Sequence, residues 1–283
     1  MKNLPLPDVD DIQKITDNAS NSALRRTSYP YLRDELETVL LGYQNYHLNN
    51  GNALTVSHVE ISDELAQGLR KNYKPAPKDL RFINHIRNSS PNVCPMCGSL
   101  KASTVDHLFP KEDYPWFAVY SKNLVPACDC NSKRGQNLYE GNQRVLHPYY
   151  DEILGERHLS CLICADPEFP IAKIELAFVQ EQHEYIESIR YHAEKVVLPS
   201  GIINWLEGEW ETTTLNPSSK IQTLPLANIP TIEDFSRYLN DALNRYDQSY
   251  STPNNWFSIF IHGVLNSAGV LRYLFDKHNS IYP

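Results

Sequence analysis

Between Tyr31 and Leu48 the apolar residues Leu32, Leu36, Val39, Leu40 and Tyr43 recur at steps of three and four, which lays one apolar stripe along a helix. Residues 1–30 show no such stripe; they are polar, broken by prolines, and read as a loosely held arm. Ser62 to Lys71 opens with a serine cap and acids in its first turn, so a second helix is expected there. The Pro75-Ala-Pro77 break ends it, and a short third helix is expected over Asp79 to Arg87 on the stripe Leu80, Ile83 and Ile86. Farther on, Arg144 to Tyr150 reads as a loop around its proline. Phe169 to Gln180 alternates apolar and polar positions as one or two strands would, and Glu181 to Val197 returns to helical spacing. The last third reads as mainly helical, with Ile232 to Tyr246 after a Thr231 cap, then Asn255 to Leu265 and Gly269 to Lys277. Its Trp205, Trp210 and Trp256 are expected in the core. The chain has no internal repeat and no low-complexity tract.

Length and charge narrow this picture. At 283 residues with 41% hydrophobic content, the chain is long enough for one large or two modest packed domains. No run of about 18 apolar residues occurs, and MKNLPLPDVDD lacks an apolar stretch after its lysine. A membrane span and a signal peptide are therefore not expected, and a cytoplasmic location is. The formal net charge of -8 argues against a wholly basic nucleic-acid surface. Its distribution is uneven, because residues 65–144 hold twelve Lys and Arg, Lys101 among them, against six acids, whereas the remainder is net acidic. Charge runs alone are usually solvated faces, so this asymmetry gains meaning only from the chemistry beside it.

Six cysteines in a chain read as cytoplasmic point to metal before disulfides. Cys94-Pro-Met-Cys97-Gly has the spacing of a zinc knuckle, and Cys128 and Cys130 supply a second pair about thirty residues on. Four thiolates leave no open position for water, so this is a structural Zn²⁺ site that staples the intervening segment. Cys161 and Cys164 have no partner pair nearby and read as buried thiols. Between the knuckles, Asp106 offers a hard oxygen beside His107, whose imidazole takes a proton near neutral pH. Asn131 adds a second oxygen at the start of a short expected helix, Asn131 to Leu138, which also carries Lys133 and Arg134 for nucleic-acid phosphates. His147 reads as structural in a proline-anchored turn, as do His85, His192 and His262 in probable helices.

Asp106-His107, then Asn123 in NLVPAC, then Asn131 directly after the second cysteine pair, resemble the HNH (ββα-metal) endonuclease motif over Cys94 to Gly135. The resemblance implies strand, loop, strand and helix around one catalytic Mg²⁺ or Mn²⁺. It makes Asp106 and Asn131 the ligands of that ion, His107 the general base, and Asn123 the residue that fixes the loop aiming the base. DHLFPKEDYPWFAVYSKNLVPAC, CNSKRG and LHPYYD further resemble HNH proteins of bacterial phage-defence systems, including the HNH partners of ATPases in Septu and certain retron systems. That likeness implies DNA as substrate and an ATPase or other defence-system subunit as partner.

The expected architecture is α+β, with a zinc-stapled ββα-metal core embedded in a largely helical protein. It divides into an N-terminal helical segment with the basic stretch over 1–90, the nuclease core over 91–150, and a mostly helical region over 151–283. The function expected from these residues is metal-dependent hydrolysis of phosphodiester bonds. The alternative is a non-catalytic zinc module that binds nucleic acid or protein as one subunit of a larger complex, for which the cysteines suffice and Asp106, His107 and Asn131 have no joint use.

Overall fold

The computed structural model describes residues 1–89, 91–100, 102 and 104–283; Lys101 of the basic stretch lies outside them. The protein is α+β, and most of its ordered backbone is helical. The N-terminal segment holds α1 (Asp11–Ser20), α2 (Tyr31–Asp34), α3 (Leu36–Leu48), α4 (Asp63–Tyr73) and α5 (Phe82–Asn88). The middle holds β1 (Thr104–His107), β2 (Leu124–Ala127), α6 (Cys130–Arg134), β3 (Tyr139–Glu140) and β4 (Gln143–Arg144). The remainder holds β5 (Leu159–Ala165), β6 (Ala172–Phe178), α7 (Ile186–His192), α8 (Ile202–Leu215), α9 (Pro217–Lys220), α10 (Ile232–Tyr250), α11 (Trp256–Leu265) and α12 (Ala268–Ile281). Among the described residues the strands pair as three antiparallel hairpins, β1 with β2, β3 with β4 and β5 with β6.

The helical stripes expected from the sequence point inward. Leu32, Val39 and Tyr43 are buried, as are Leu80 and Ile83. Ser62 caps α4 by accepting from the Leu65 N–H, and Thr231 caps α10 in the same way from Asp234. The stripe over Tyr31 to Leu48 is two helices rather than one. Glu35 leaves helical geometry between them and directs both carboxylate oxygens to Ser62, one of them to the hydroxyl and one to the N–H. The helix expected to run from Asn131 to Leu138 is shorter, because Gly135 takes a positive φ of 63° and ends α6 at Arg134. The helix expected over Glu181 to Val197 begins at Ile186 and finishes as a π-helical turn over Ala193–Val197.

Two expectations are corrected. Residues 1–30 are not a loose arm. Asp10 caps α1 by accepting from Gln13, and Ile15 and Ala19 are buried. Asp11 is buried as well; it receives Ser121 N–H, Ser121 hydroxyl and Lys122 ammonium at 2.7–2.8 Å. Met1 is fully buried, and Lys2 N–H donates to the Pro95 carbonyl at 2.9 Å. The cap and the Ile15/Ala19 spacing were present in the sequence but short, and prolines on either side masked them. The pair Cys161 and Cys164 splits. Both lie on β5, where successive side chains face opposite ways, so Cys161 packs under α11 while Cys164 is exposed.

The core is one contiguous buried cluster that runs from Met1 to Leu274 and draws on all three segments. Trp210 and Trp256 are buried in it and Trp205 partly so. No helix among the described residues is long and apolar enough to cross a membrane.

Candidate functional site

The four cysteines of the expected zinc site are all buried, and their sulfurs lie within 4.8 Å of one another. Cys94 Sγ is 3.6 Å from Cys130 Sγ, and Cys97 Sγ is 3.5 Å from Cys128 Sγ. Four sulfurs about 2.3 Å from one zinc sit about 3.8 Å apart, so the cluster is close to the size of that tetrahedron. The first pair is shaped by a turn in which Gly98 N–H donates to the Cys94 carbonyl at 2.9 Å. Gly98 sits at φ +81° with the Asn254 carbonyl so close that a Cβ there would lie 2.1 Å from it, so glycine is required. The second pair straddles the end of β2 and the first residue of α6, and the chain bend there brings both sulfurs in without a third spacer. Cys128 and Cys130 N–H groups donate to Cys94 and Cys128 sulfurs at 3.4 and 3.3 Å, which favours thiolate character. Hydrogen bonds from neighbouring thiols hold Cys97 well below the usual thiol range and Cys128 at about 6, while burial pushes Cys94 up. Four buried thiols cannot all ionise against one another, and a bound Zn²⁺ removes that conflict. These residues could bind one zinc ion.

The C-terminal region braces this clip. Trp256 Nε1–H donates to the Cys97 carbonyl at 2.9 Å, and His192 Nε2–H donates to the Met96 carbonyl at 2.6 Å. His192 Nδ1 accepts from Leu146 N–H, so it is a structural residue, as expected. His147 is likewise buried, 2.8 Å from the Tyr46 hydroxyl. His262 meets the Ser160 hydroxyl, and His85 is exposed on α5.

Asp106 and His107 end β1, where pairing with β2 sets Asp106 opposite Val125 and His107 opposite Leu124. The His107 ring is only 4% exposed and lies 4.4 Å, centroid to centroid, from the Tyr73 ring. Its Nε2 is 2.8 Å from the Ala118 carbonyl oxygen. A carbonyl only accepts, so Nε2 carries the proton and the neutral ring keeps its lone pair on Nδ1, which lies 3.9 Å from Asp106 Oδ1. Burial pulls the imidazole down to about 4, against a weaker upward pull from the Ala118 carbonyl and Asp106.

Ala118 is held in place by Asn123, which is fully buried. Asn123 Oδ1 accepts from Phe109 N–H at 2.8 Å, and its Nδ2 donates to the Phe109 and Phe117 carbonyls at 3.1 and 3.2 Å. One amide thereby ties together the two ends of the 109–117 loop. Tyr46 hydroxyl lies 3.4 Å from the same Oδ1.

Asn131, in the first turn of α6, donates Nδ2–H to the His107 carbonyl at 2.8 Å, and its Oδ1 accepts from Arg134 Nε at 3.0 Å. Arg134, expected as a phosphate contact, faces inward. It is 2% exposed, and its guanidinium donates to the His107, Leu108 and Asn137 carbonyls. Burial lowers it to about 10, so it stays charged at neutral pH. Lys133, one residue earlier, points to solvent and pairs with Asp129 at 3.0 Å.

Asp106, His107 and Asn131 line one cavity of about 380 Å³, together with Tyr73, Lys111 and Glu112. Tyr73 hydroxyl donates to the Val105 carbonyl and forms the wall from the α4 side. The sequence carried no sign of Tyr73, which lies outside the motif, or of the Ala118 carbonyl, which any residue at that position would supply. Exposed Lys71, Lys74, Lys78 and Arg81 follow one another from the end of α4 to the start of α5. Two larger cavities, of about 660 and 760 Å³, lie elsewhere, against α3 and against the 4–9 segment, and neither gathers the residues of the motif. No protein-family model, no curated protein and no solved structure matches this chain.

Proposed function

We propose that the protein is a metal-dependent endonuclease of the HNH type that hydrolyses phosphodiester bonds in DNA, acting as a regulated effector in bacterial antiphage defence. The observation that carries this reading is the state of His107. Its Nε2–H is committed to the Ala118 carbonyl, its Nδ1 lies beside Asp106 with no hydrogen bond among the described residues, and both residues line the same cavity as Asn131. The order β1, loop, β2, α6 supports it, as does the Asn123 amide across the loop that holds Ala118.

The residues fit a hard divalent cation. Mg²⁺ keeps several waters and is held by one or two side-chain oxygens, and the cavity has room for both. Asp106 Oδ1 accepts from His107 N–H at 2.8 Å, and no hydrogen bond among the described residues occupies Oδ2. Asn131 Oδ1 keeps one lone pair beside its bond to Arg134. Mg²⁺ or Mn²⁺ bound by Asp106 and Asn131 supplies neutralisation of the charge that develops on the phosphoryl oxygens and the leaving oxygen. His107 Nδ1 takes the proton from the attacking water, and the tautomer lock keeps that nitrogen unprotonated beforehand. Asn123 keeps the Ala118 carbonyl in place and so keeps the ring aimed. In-line attack breaks the bond from phosphorus to the 3′ oxygen, which takes a proton from solvent water, leaving 5′-phosphate and 3′-hydroxyl ends.

One observation favours a non-catalytic zinc module instead, namely the hold of Arg134 on Asn131 Oδ1. Cleavage of supercoiled plasmid by purified protein with Mg²⁺ or Mn²⁺ decides between them. A general base contributes roughly 100- to 10,000-fold, so His107→Ala should lose that much activity while retaining its zinc. If the wild type and variant both hold zinc and neither cuts, alone or with a defence-system ATPase partner added, the zinc-module reading replaces this one.

A further inference from the structure

A phosphodiester entering the cavity beside Asp106 would meet carboxylates, so some cation must receive it. Among the described residues two cations line the cavity, Arg134 and Lys111. Arg134 is occupied by three main-chain carbonyls and the Asn131 oxygen. Lys111 is half-buried, and its ammonium has one partner among the described residues, Glu112 Oε1 at 2.8 Å.

The surroundings of that pair are built for exchange. Arg70 on α4 clamps the turn from below, donating Nε–H to the Lys111 carbonyl at 3.0 Å and Nη2–H to the Glu112 carbonyl at 2.7 Å. The same guanidinium lies 3.2 Å from Glu112 Oε2. Glu112 therefore shares its two oxygens between two cations, and if Lys111 leaves, Arg70 still neutralises the carboxylate. Glu112 is exposed, and an exposed pair between neighbours in sequence is weak enough for an incoming anion to displace.

We propose that Lys111 is the phosphate-binding cation of this site, with Glu112 as its resting counter-ion, left to Arg70 when a phosphodiester arrives. The inference rests on the nuclease reading for the identity of the ligand. It adds the cation and a device that keeps the cavity electrically closed in the absence of nucleic acid.

The test is binding of a short fluorescent DNA duplex to the full chain across a salt series, without added divalent metal, beside cleavage with Mg²⁺. Each phosphate contact contributes about 0.9 to the slope of log affinity against log salt, so Lys111→Gln should lower the slope by about 0.9 and Lys111→Arg should restore it. Glu112→Gln should tighten binding several-fold, and that gain should vanish in the Lys111→Gln background, where a general charge effect would persist. Zinc content and melting temperature establish that each variant is folded. An unchanged slope in Lys111→Gln overturns the proposal. So does a loss of cleavage in Glu112→Gln with tight binding retained, which would make Glu112 a metal ligand instead. If the wild type binds through Lys111 yet cuts nothing, alone or with the ATPase partner added, the nuclease reading fails and Lys111 stands. If it cuts while the Lys111→Gln slope is unchanged, the reverse holds. No duplex binding by the wild type, with DNA or with RNA, overturns both.

Discussion

Cys130 and Asn131 are adjacent on α6, yet they serve two regions built on opposite principles. On one side of the helix, four soft sulfur donors lie within 4.8 Å of one another, buried and braced by Trp256 and His192 from the C-terminal region. On the other, Asp106 and Asn131, with their hard oxygens, line a cavity of about 380 Å³ together with the half-buried Lys111 and the exposed Glu112. One step along a helix turns the side chain by about 100°, which is enough to separate a closed site from an open one. The closed site fixes where the helix begins, and that in turn places Asn131 under the His107 carbonyl at 2.8 Å. All four sulfur ligands are buried, whereas the oxygen side leaves Asp106, Lys111 and Glu112 partly exposed to solvent.

The largest effect should come from breaking the sulfur side. Cys94→Ser should abolish zinc binding and cost several kcal/mol or more, read as zinc content and thermal unfolding, because metal binding free energy here is folding free energy. Full zinc retention would remove the staple from the account. Next is Arg134→Gln, expected to destabilise by about 3 kcal/mol in denaturant melts, since it strips donors from buried carbonyls. Its neighbour Lys133→Gln should change stability by no more than about 0.5 kcal/mol, as an exposed pair with Asp129 implies. Equal losses from the two would contradict the inward orientation of Arg134.

Asn123→Ala sharpens the comparison from inside the oxygen side. It removes three buried hydrogen bonds to main-chain groups and should cost about 2–4 kcal/mol, with a fall in plasmid cleavage that exceeds any loss of zinc. Undiminished cleavage would show that the 109–117 loop does not aim His107.

The last effect is in pH, and it accumulates gradually along the titration. Burial pulls His147 down to about 3 and His192 to about 4, whereas the unfolded chain titrates near the ordinary value of about 6.5. The unfolded state therefore binds more protons in between, and the stability present above pH of about 6.5 is lost as pH falls, by up to about 1.4 kcal/mol per unit for each residue. Denaturant melts in excess zinc should show that slope, and His147→Gln should make it shallower. A flat profile would mean that these rings are not held neutral.

Where a signal was local, it was legible. The three-and-four spacing of Leu80 and Ile83, the Ser62 and Thr231 caps and the Cys94-x-x-Cys97 turn each depend on residues within one or two turns of one another. The short α1, flanked by prolines, was not read, although Asp10 and Ile15 carried its pattern. Strand β5 leaves no clear alternation in the sequence, because its outward face is partly apolar, with Leu162 exposed.

Residue type and order by themselves determined the helical stripes, the paired cysteines and the sequence Asp106, His107, Asn123, Asn131, because these are properties of side chains close along the chain. Tertiary structure alone decided that Asp11 grips Ser121 across 110 residues, that Arg134 turns inward, and that the Ala118 carbonyl selects the His107 tautomer. The physical reason is that those contacts join distant segments and end on main-chain carbonyl or N–H groups. Such groups are present at almost every position, so no residue type announces which of them will be used.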